Sequence, residues 1–221
     1  MTGTSPEFVE FGALRIAFDS RVLRPRPWTL AQSRWAAELL TELSPGPVLE
    51  LCCGAGQIGL AAVSGTTRSL VCVDVDPVAA DFARANARRA GLEGRVQVRV
   101  GTLREALDRD ERFCLVIADP PWVAHPEIGR FPADPPRAID GGDDGLSVAR
   151  ECLRVIERHV TDAGQALLQL GDLGQVSTLL RPGWGSLDVA ETRTFEGGVV
   201  ARVTPSPERD HHLRAAGPAR A

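Results

Sequence analysis

The 221-residue chain contains no lysine and no tyrosine, and it has a single asparagine. Its basic residues are therefore all arginines, 25 of them against 29 acidic residues, for a net charge of −4. The absence of lysine excludes a Schiff-base lysine, a P-loop lysine and a lysine general base. A net-negative chain without a run of basic residues also argues against tight, sequence-independent binding to nucleic acid.

Long apolar runs are missing as well. No run approaches the roughly 20 residues that cross a bilayer, so we expect no membrane span. Residues 1–10 carry two acids and no base, which is unlike a signal peptide. Five cysteines, two of them adjacent, do not make the framework of a disulfide-rich protein, so a reducing cytoplasm is the simplest interpretation. With 43% hydrophobic and 24% charged residues, the chain can bury a full core.

The order of the predicted elements indicates an α/β fold. After a proline-rich break, short apolar strands alternate with helices, which is typical of a parallel sheet covered on both faces. A strand pair flanking Gly197-Gly198 predicts a terminal β-hairpin. We divide the chain into an N-terminal extension packing on the core (residues 1–46), a main domain (47–205) and a flexible tail (206–221). The predicted sheet strands cover residues 48–51, 69–75, 95–100, 113–118, 165–170, 187–192 and 199–203.

Ligands of such sheets bind beyond the carboxyl ends of the strands, and the first candidate is the turn from Glu50 to Gly56. Glycine lets the backbone approach a ligand closely, although tight strand-to-helix turns need glycine for structural reasons too. The turn lacks the Gly-Lys-Ser/Thr of a P-loop. Glu50 would repel a pyrophosphate, so an acid at this position suits a ligand with a cationic end.

Asp74 ends the second strand of the sheet. A carboxylate at this position can accept hydrogen bonds from both hydroxyls of a ribose. The alternative is a helix-capping role, which Asp76 fills better.

The segment Asp119–Trp122, with the sequence D-P-P-W, is the most specific feature. Two prolines fix the backbone after a buried strand, so the Asp119 carboxylate and the Pro120 carbonyl can orient an N–H nucleophile. Trp122 offers a flat surface for stacking a planar group. A purely structural turn would seldom need all four residues.

Together these segments resemble the class I S-adenosylmethionine-dependent methyltransferases, and within them the HemK-like branch that methylates the side-chain amide nitrogen of glutamine. Residues 24–29 resemble that branch's I-P-R-P-E-T, residues 50–59 its D-L-x-x-G-S-G loop, residues 119–122 its N-P-P-Y and residues 138–146 its A-L-D-G-G-x-D-G-L. The resemblance covers about residues 12–203. It implies a Rossmann-like, mostly parallel sheet with helices on both faces and a C-terminal antiparallel β-hairpin.

The resemblance also implies the cofactor and the site. The cofactor would be S-adenosyl-L-methionine, with S-adenosyl-L-homocysteine as the product, and no metal is implied. Asp119 and the Pro120 carbonyl would hold the acceptor nitrogen, with Pro121 and Trp122 completing the catalytic segment. Glu50 and the glycine turn would hold the methionine end, and Thr102 and Leu103 would face the adenine. The implied cofactor contacts are Thr29, Glu50, Cys52, Gly54, Gly56, Asp74, Val75, Thr102, Leu103 and Asp119.

Four departures from the branch leave the acceptor open. Asp119 replaces asparagine, Trp122 replaces tyrosine, Trp28 displaces a glutamate, and Thr102 stands where an aspartate is common. An ionised Asp119 favours an amine, guanidine or adenine amino group over a neutral amide. The family resemblance leads us to expect a protein glutamine as the acceptor, and the Asp119 carboxylate favours a small nitrogenous metabolite instead. The sequence D-P-P-W also resembles the adenine-N6 methyltransferases. A non-catalytic partner subunit and another transfer or cyclisation remain alternatives, and the oligomeric state stays open.

Other polar residues have simpler interpretations. Adjacent Cys52 and Cys53 lack the second pair that a metal site needs. His125 is either a base near the substrate or a surface residue. The remaining candidates have structural or solvent-exposed interpretations: Arg130, Arg137, Asp143, Asp144, His211 and His212.

Overall fold

The computed structural model describes residues 5–180 and 185–207, so most of the predicted tail, including His211 and His212, lies outside the described residues. The strands are β1 (Glu7–Phe11), β2 (Leu14–Phe18), β3 (Val48–Leu51), β4 (Leu70–Asp74), β5 (Val96–Val100), β6 (Phe113–Ala118), β7 (Val160–Leu170), β8 (Leu187–Phe195) and β9 (Gly198–Pro205). The α-helices are α1 (Leu30–Glu42), α2 (Gln57–Val63), α3 (Pro77–Arg89), α4 (Pro136–Ile139), α5 (Ser147–His159) and α6 (Leu173–Leu179). Short 3₁₀ turns cover Pro27–Thr29, Glu93–Arg95 and His125–Arg130.

Seven strands form one mixed sheet in the order β5-β4-β3-β6-β7-β9-β8. The pairs from β5 to β7 are parallel, whereas β9 runs antiparallel to both β7 and β8. The predicted α/β sheet with a terminal antiparallel hairpin is thus confirmed. The chain reverses its direction of travel across the sheet between β3 and β6, so a crevice forms beyond their carboxyl ends.

Helices cover both faces of this sheet. Helices α5 and α6 pack on one face through residues such as Leu153 and Leu179, and α1 to α3 pack on the other through residues such as Trp35 and Ala83. Strands β3 and β6 are buried along their whole length, which explains their uninterrupted apolar sequences. Strand β5, with its alternating pattern, is one of the two edge strands of this sheet, which confirms the prediction of an edge position.

Strand β7 differs from the prediction. It begins at Val160, directly after α5, instead of at Gln165. Its pairing with β6 shifts register between Phe113 and Leu115, so the first residues of β7 bulge before the regular ladder starts. The bulge is a tertiary feature with no counterpart in the apolar alternation of the sequence.

The N-terminal hairpin β1–β2 forms a separate two-stranded sheet that Asn86, the sole asparagine of the chain, ties to the main domain. Asn86 is buried in α3, and its Oδ1 accepts a hydrogen bond from the Ala17 N–H at 2.8 Å. Its Nδ2 donates to the carbonyls of Ala17 and Ala55, at 2.9 Å and 3.0 Å. One side chain therefore joins the hairpin, α3 and the glycine turn. In the described residues, no helix is long and apolar enough to cross a bilayer.

Candidate active site

A cavity of about 440 Å³ lies at the carboxyl ends of β3, β4, β5 and β6, where parallel sheets bind ligands. Residues that follow these four strands line one wall, and the other wall comes from the N-terminal loop and the long loop after β6. The predicted site residues that line the cavity are Cys52, Gly54, Asp74, Val75, Leu103, Asp119 and Pro121. The remaining lining residues include Arg21, Val22, Leu23, Gln57, Asp140 and Val148.

The glycine turn brings backbone to the cavity in a left-handed conformation. Gly54 and Gly56 have φ angles of 54° and 80°, and Cys52, with φ of 56°, is the only non-glycine residue with a positive φ among the described residues. Glycine adopts this backbone conformation at little free-energy cost, whereas cysteine is strained in it. The Gly54 N–H donates to Asp74 Oδ2 at 2.7 Å, so the end of β4 holds the turn after β3 in place.

The Asp74 carboxylate therefore both holds the turn and lines the cavity. Its Oδ1 accepts from the Asp76 N–H at 2.9 Å, and burial raises the pKa of its carboxyl. Because the carboxylate lines the cavity, a ligand hydroxyl can reach it. The helix-capping role belongs to Asp76, whose Oδ1 accepts from the Val78 N–H at 2.8 Å.

Glu50 does not line the cavity, which corrects the prediction that it contacts the cofactor. It is buried on the face of β3 that α2 covers. There it accepts hydrogen bonds from the Gly59 N–H at 2.9 Å and the Cys72 thiol at 3.3 Å. Burial raises the pKa of its carboxyl to about 7. Glu50 thus fixes the start of α2 from inside. Its direction follows from the strand pleat, which turns successive side chains to opposite faces.

Asp119 is the candidate acceptor of hydrogen bonds from a substrate nitrogen. It follows β6 directly, and its partly exposed side chain lines the cavity. No group among the described residues donates a hydrogen bond to its carboxylate, and burial alone raises its pKa to about 7. The preceding residue is fixed by Gln32 of α1, whose Nε2 donates to the Ala118 carbonyl at 3.0 Å. The structure therefore presents an unengaged carboxylate on a rigid support.

The other residues of the D-P-P-W segment differ in whether they line the cavity. Pro121 lines the cavity, whereas Pro120 and Trp122 do not. Trp122 packs on Gly171, where a Cβ would lie 2.7 Å from its ring, and its carbonyl accepts from Gln175 Nε2 at 2.9 Å. Trp122 thus packs beside the start of α6, outside the residues that line the cavity.

Three further predicted contacts also lie away from the cavity. Thr102 is exposed, and its hydroxyl donates to Glu105 at 2.7 Å. Thr29 is buried, and its hydroxyl donates to the Arg26 carbonyl at 2.8 Å. Gly56 packs near Ala83 instead of facing the ligand space. The two threonines satisfy neighbouring groups in their own turns, a local competition that sequence position does not reveal.

Sequence reasoning missed the wall formed by residues distant from the strand ends. Gln57, the first residue of α2, lines the cavity, and its buried Oε1 atom has no hydrogen-bond partner among the described residues. Asp140, within the matched loop motif, lines the far side and lies 2.6 Å from His125 Nδ1. This contact raises the pKa of His125 and lowers that of Asp140. The position of Gln57 directly after the glycine turn was an available signal.

The cysteines serve packing in this structure. The Sγ atoms of Cys52 and Cys152 lie 4.0 Å apart, and the neighbouring Cys152 thiol together with burial raises the pKa of Cys52. Among the described residues, no group of three histidine, cysteine or acidic side chains is placed to hold a metal ion.

The cavity fits the cofactor that the sequence implies. A ribose needs a carboxylate beside closely approaching backbone, which Asp74 and Gly54 provide. An adenine needs apolar walls, and Leu103 and Val148 lie on the cavity surface. The volume of the cavity lies within the usual range for small-molecule sites, roughly 300–1,000 Å³.

Comparisons with known proteins indicate the family. Residues 32–131 match the methyltransferase small domain family. A release factor glutamine methyltransferase of Deinococcus radiodurans is 32% identical over 216 residues, covering 94% of this chain and 71% of that protein. One from Clostridium acetobutylicum is 29% identical, covering 79% and 64%. A ribosomal protein uL3 glutamine methyltransferase of Bradyrhizobium diazoefficiens is 36% identical over 129 residues, covering 56% and 40%. The chain thus spans between two fifths and about seven tenths of these relatives' lengths.

Solved structures support the fold. A ribosomal protein L11 methylase of Lactobacillus delbrueckii subsp. bulgaricus superposes with a TM-score of 0.62 at 14% identity, covering 84% of this chain and 82% of that one. An RNA methyltransferase of Salinibacter ruber, in complex with S-adenosyl-L-homocysteine, has a TM-score of 0.55 at 20% identity, covering 85% and 95%. Together with the matching motifs and the relatives, these findings place the chain in the HemK-like family of class I S-adenosylmethionine-dependent methyltransferases.

Proposed function

We propose that this chain is an S-adenosylmethionine-dependent N-methyltransferase whose acceptor is the side-chain amide of a protein glutamine. The relatives named for glutamine methylation of release factors and of ribosomal protein uL3 support the acceptor class. The same names support a cytoplasmic site of action, since their acceptors are translation proteins.

The cofactor would lie along the strand ends. Asp74 would accept hydrogen bonds from the ribose hydroxyls, and Gly54 would let the backbone approach the cofactor closely. Leu103 and Val148 would contact the adenine. When bound, the cofactor supplies an activated methyl group, so the protein needs no nucleophile or metal ion. Its remaining task is to orient the acceptor nitrogen and exclude water.

Asp119 is the observation that carries the proposal. Its carboxylate lines the cavity and receives no hydrogen bond from the described residues. Leaving a desolvated acceptor unpaired costs free energy, which a donating N–H group of the substrate would recover. Such a hydrogen bond to the Asp119 carboxylate would orient the acceptor nitrogen so that its lone pair faces the methyl group.

An amine acceptor is the second candidate, and the carboxylate in place of asparagine favours it. A buried negative charge stabilises a cationic nitrogen more than a neutral amide. The net charge of −4 disfavours the third acceptor, an adenine in a nucleic acid.

The test is mass spectrometry of acceptors incubated with the chain and S-adenosylmethionine. We would use a bacterial release factor, ribosomal protein uL3 and a set of small amines. We expect one added methyl group on a glutamine, and turnover reduced on the order of 10²-fold in Asp119→Ala. Affinity for S-adenosylhomocysteine should stay close to wild type. Asp143→Ala, which removes an exposed carboxylate from the neighbouring loop, is the matched control.

The Asp119→Asn variant separates the two acceptors. With an amide acceptor it should remain active, because asparagine also accepts the N–H hydrogen bond. With an amine it should lose most activity, because the negative charge is gone. Equal turnover in wild type and Asp119→Ala would contradict the assignment. Cofactor binding without any methylated product would indicate a non-catalytic partner subunit or another transfer.

A further inference from the structure

Three carboxylates lie at or near the carboxyl ends of the central strands, and they differ in what they already bind. Glu50 accepts from the Gly59 N–H and the Cys72 thiol. Asp74 accepts from the N–H groups of Gly54 and Asp76. Asp119 accepts from no group among the described residues. Of these three carboxylates, only that of Asp119 therefore lines the cavity without a hydrogen bond from the described residues.

N-methylation of a neutral nitrogen must release a proton. The nitrogen gains a bond to carbon and must lose one bond to hydrogen to become neutral again. The asparagine that the HemK-like branch carries at this position can accept a hydrogen bond, but its amide is too weak a base to keep the proton. A carboxylate in the same place can do both.

We propose that Asp119 is the proton acceptor of the methyl transfer, an inference that rests on the proposed function. The nitrogen lone pair forms the new N–CH₃ bond, and the electron pair of the breaking C–S bond stays on sulfur. The N–H bond breaks, its electron pair returns to nitrogen, and its proton moves to an Asp119 oxygen. The proton then passes to solvent when the product leaves.

The surroundings of Asp119 suit this task. Burial raises the pKa of its carboxyl to about 7, close to the pH at which a general base works best. The titratable groups that interact with Asp119 electrostatically include Glu50 and the Cys52 thiol, neither of which is cationic. At the cavity wall, Arg21 is held by Asp19 at 2.6 Å, and Asp140 is held by His125. The charged residues that line the cavity are Arg21, Asp74, Asp76, Asp119, Arg137 and Asp140.

Because no fixed cation pairs with Asp119, its protonation should follow the charge of the ligand. A sulfonium bound near Asp119 would lower the pKa of the carboxyl, so that a proton would be released on binding. The neutral sulfur of the product removes that effect, so the carboxyl regains affinity for a proton as the methyl group leaves. The same carboxylate is thus ready to accept a proton before the transfer and able to hold it afterwards.

The first experiment needs no turnover. Carboxyl groups of the free protein are titrated by ¹³C NMR in wild type, Asp119→Asn and the control Asp143→Asn. We expect two carboxyl signals that titrate near pH 7, those of Glu50 and Asp119. The Asp119 signal should be missing only from the spectrum of Asp119→Asn. Calorimetry in buffers of different ionisation enthalpy then measures protons released on binding. Wild type and the control should release part of a proton with S-adenosylmethionine and less with S-adenosylhomocysteine, whereas Asp119→Asn should release none in either case.

The second experiment compares pH profiles of methylation. Below its midpoint, wild-type kcat/KM should rise about tenfold per pH unit, as required for one ionising base. Asp119→Asn should keep a lower turnover without that rise. The same rise and the same proton release in Asp119→Asn would overturn the inference and leave the proposed function standing. A wild-type chain that methylates no nitrogen acceptor would overturn both, and unchanged S-adenosylhomocysteine affinity of Asp119→Asn verifies that this variant is folded.

Discussion

Arg26 and Asp134 form an ion pair between two loops 108 residues apart in sequence. Arg26 belongs to the proline-rich loop before α1, close to Leu23, and Asp134 precedes Pro135 in the long loop after β6. Leu23 and Pro135 both line the cavity. The pair therefore joins the two loops that form the outer wall of the candidate active site.

Arg26→Ala should weaken both stability and ligand binding. Asp134, with a side chain 12% exposed, would lose its partner, which we expect to lower the free energy of unfolding by about 1–2 kcal/mol. S-adenosylhomocysteine should also bind more weakly, because the two loops are no longer tied. Urea unfolding and calorimetric titration measure the two effects.

The control for that variant is Arg24→Ala in the same loop. Arg24 pairs with Glu7, and their side chains are 55% and 60% exposed. Its loss should change the free energy of unfolding by less than about 0.5 kcal/mol. Equal losses in the two variants would contradict a bridging role for Arg26.

Asp74→Ala should cost about 1.5–3 kcal/mol of cofactor binding free energy if its carboxylate accepts from the ribose hydroxyls. Asp81→Ala is the matched control, since Asp81 is an exposed residue of α3 whose ion pair with Arg84 lies at the surface. Calorimetric titration with S-adenosylhomocysteine compares the three proteins. An Asp74→Ala chain that binds as well as the control would rule out the ribose contact.

Glu50→Gln should make the protein more stable than wild type at alkaline pH. Burial raises the pKa of the Glu50 carboxyl from 4.5 to about 7, so between these values the folded chain holds a proton that the unfolded chain has released. The free energy of unfolding of wild type should therefore fall as pH rises through this window, and Asp119 adds an effect of the same sign. Glutamine keeps an acceptor for the Gly59 N–H without the charge.

Urea unfolding at about pH 5 and about pH 8 tests this, with an expected gain of about 1–3 kcal/mol for the variant at the higher pH. The exposed Glu42 provides the control Glu42→Gln, for which the difference from wild type should not change over this range. A parallel pH dependence of Glu50→Gln and wild type would show that Glu50 does not titrate in this window.

Gly59→Ala should destabilise the protein although alanine favours helices. A Cβ at Gly59 would lie 2.4 Å from Glu50 Oε2 and 3.1 Å from Leu70 Cδ2. We expect a loss of at least about 2 kcal/mol after the gain of about 1 kcal/mol in helix propensity. Gly65→Ala, with nothing within 4 Å of its Cβ position, is the control and should be close to neutral. Thermal unfolding of both variants decides between them.

Sequence reasoning located the strand ends well, because the alternation of apolar strands and helices already fixes a shared sheet edge. Gly54, Asp74, Leu103, Asp119 and Pro121 all line the cavity at that edge.

The direction of individual side chains could not be predicted as well from the sequence. Glu50 follows the strand pleat to the opposite face, and Trp122 turns towards Gly171. Thr29 and Thr102 bond within their own turns. These choices depend on packing partners distant in sequence or on local competition for hydrogen bonds, neither of which a motif encodes.

The hydrogen bonds of Asn86 couple the opening motions of the N-terminal hairpin to those of the glycine turn. A two-stranded sheet such as β1–β2 is marginally stable alone, and Ala17 is anchored by the same amide group that holds the Ala55 carbonyl of the glycine turn. Opening the hairpin would therefore loosen the Asn86 side chain that also holds the Ala55 carbonyl, while Asp74 still holds the Gly54 N–H. A ligand that immobilises the turn should slow hydrogen exchange at the Ala17 amide, so the N-terminal hairpin would report on the occupancy of a site it does not touch.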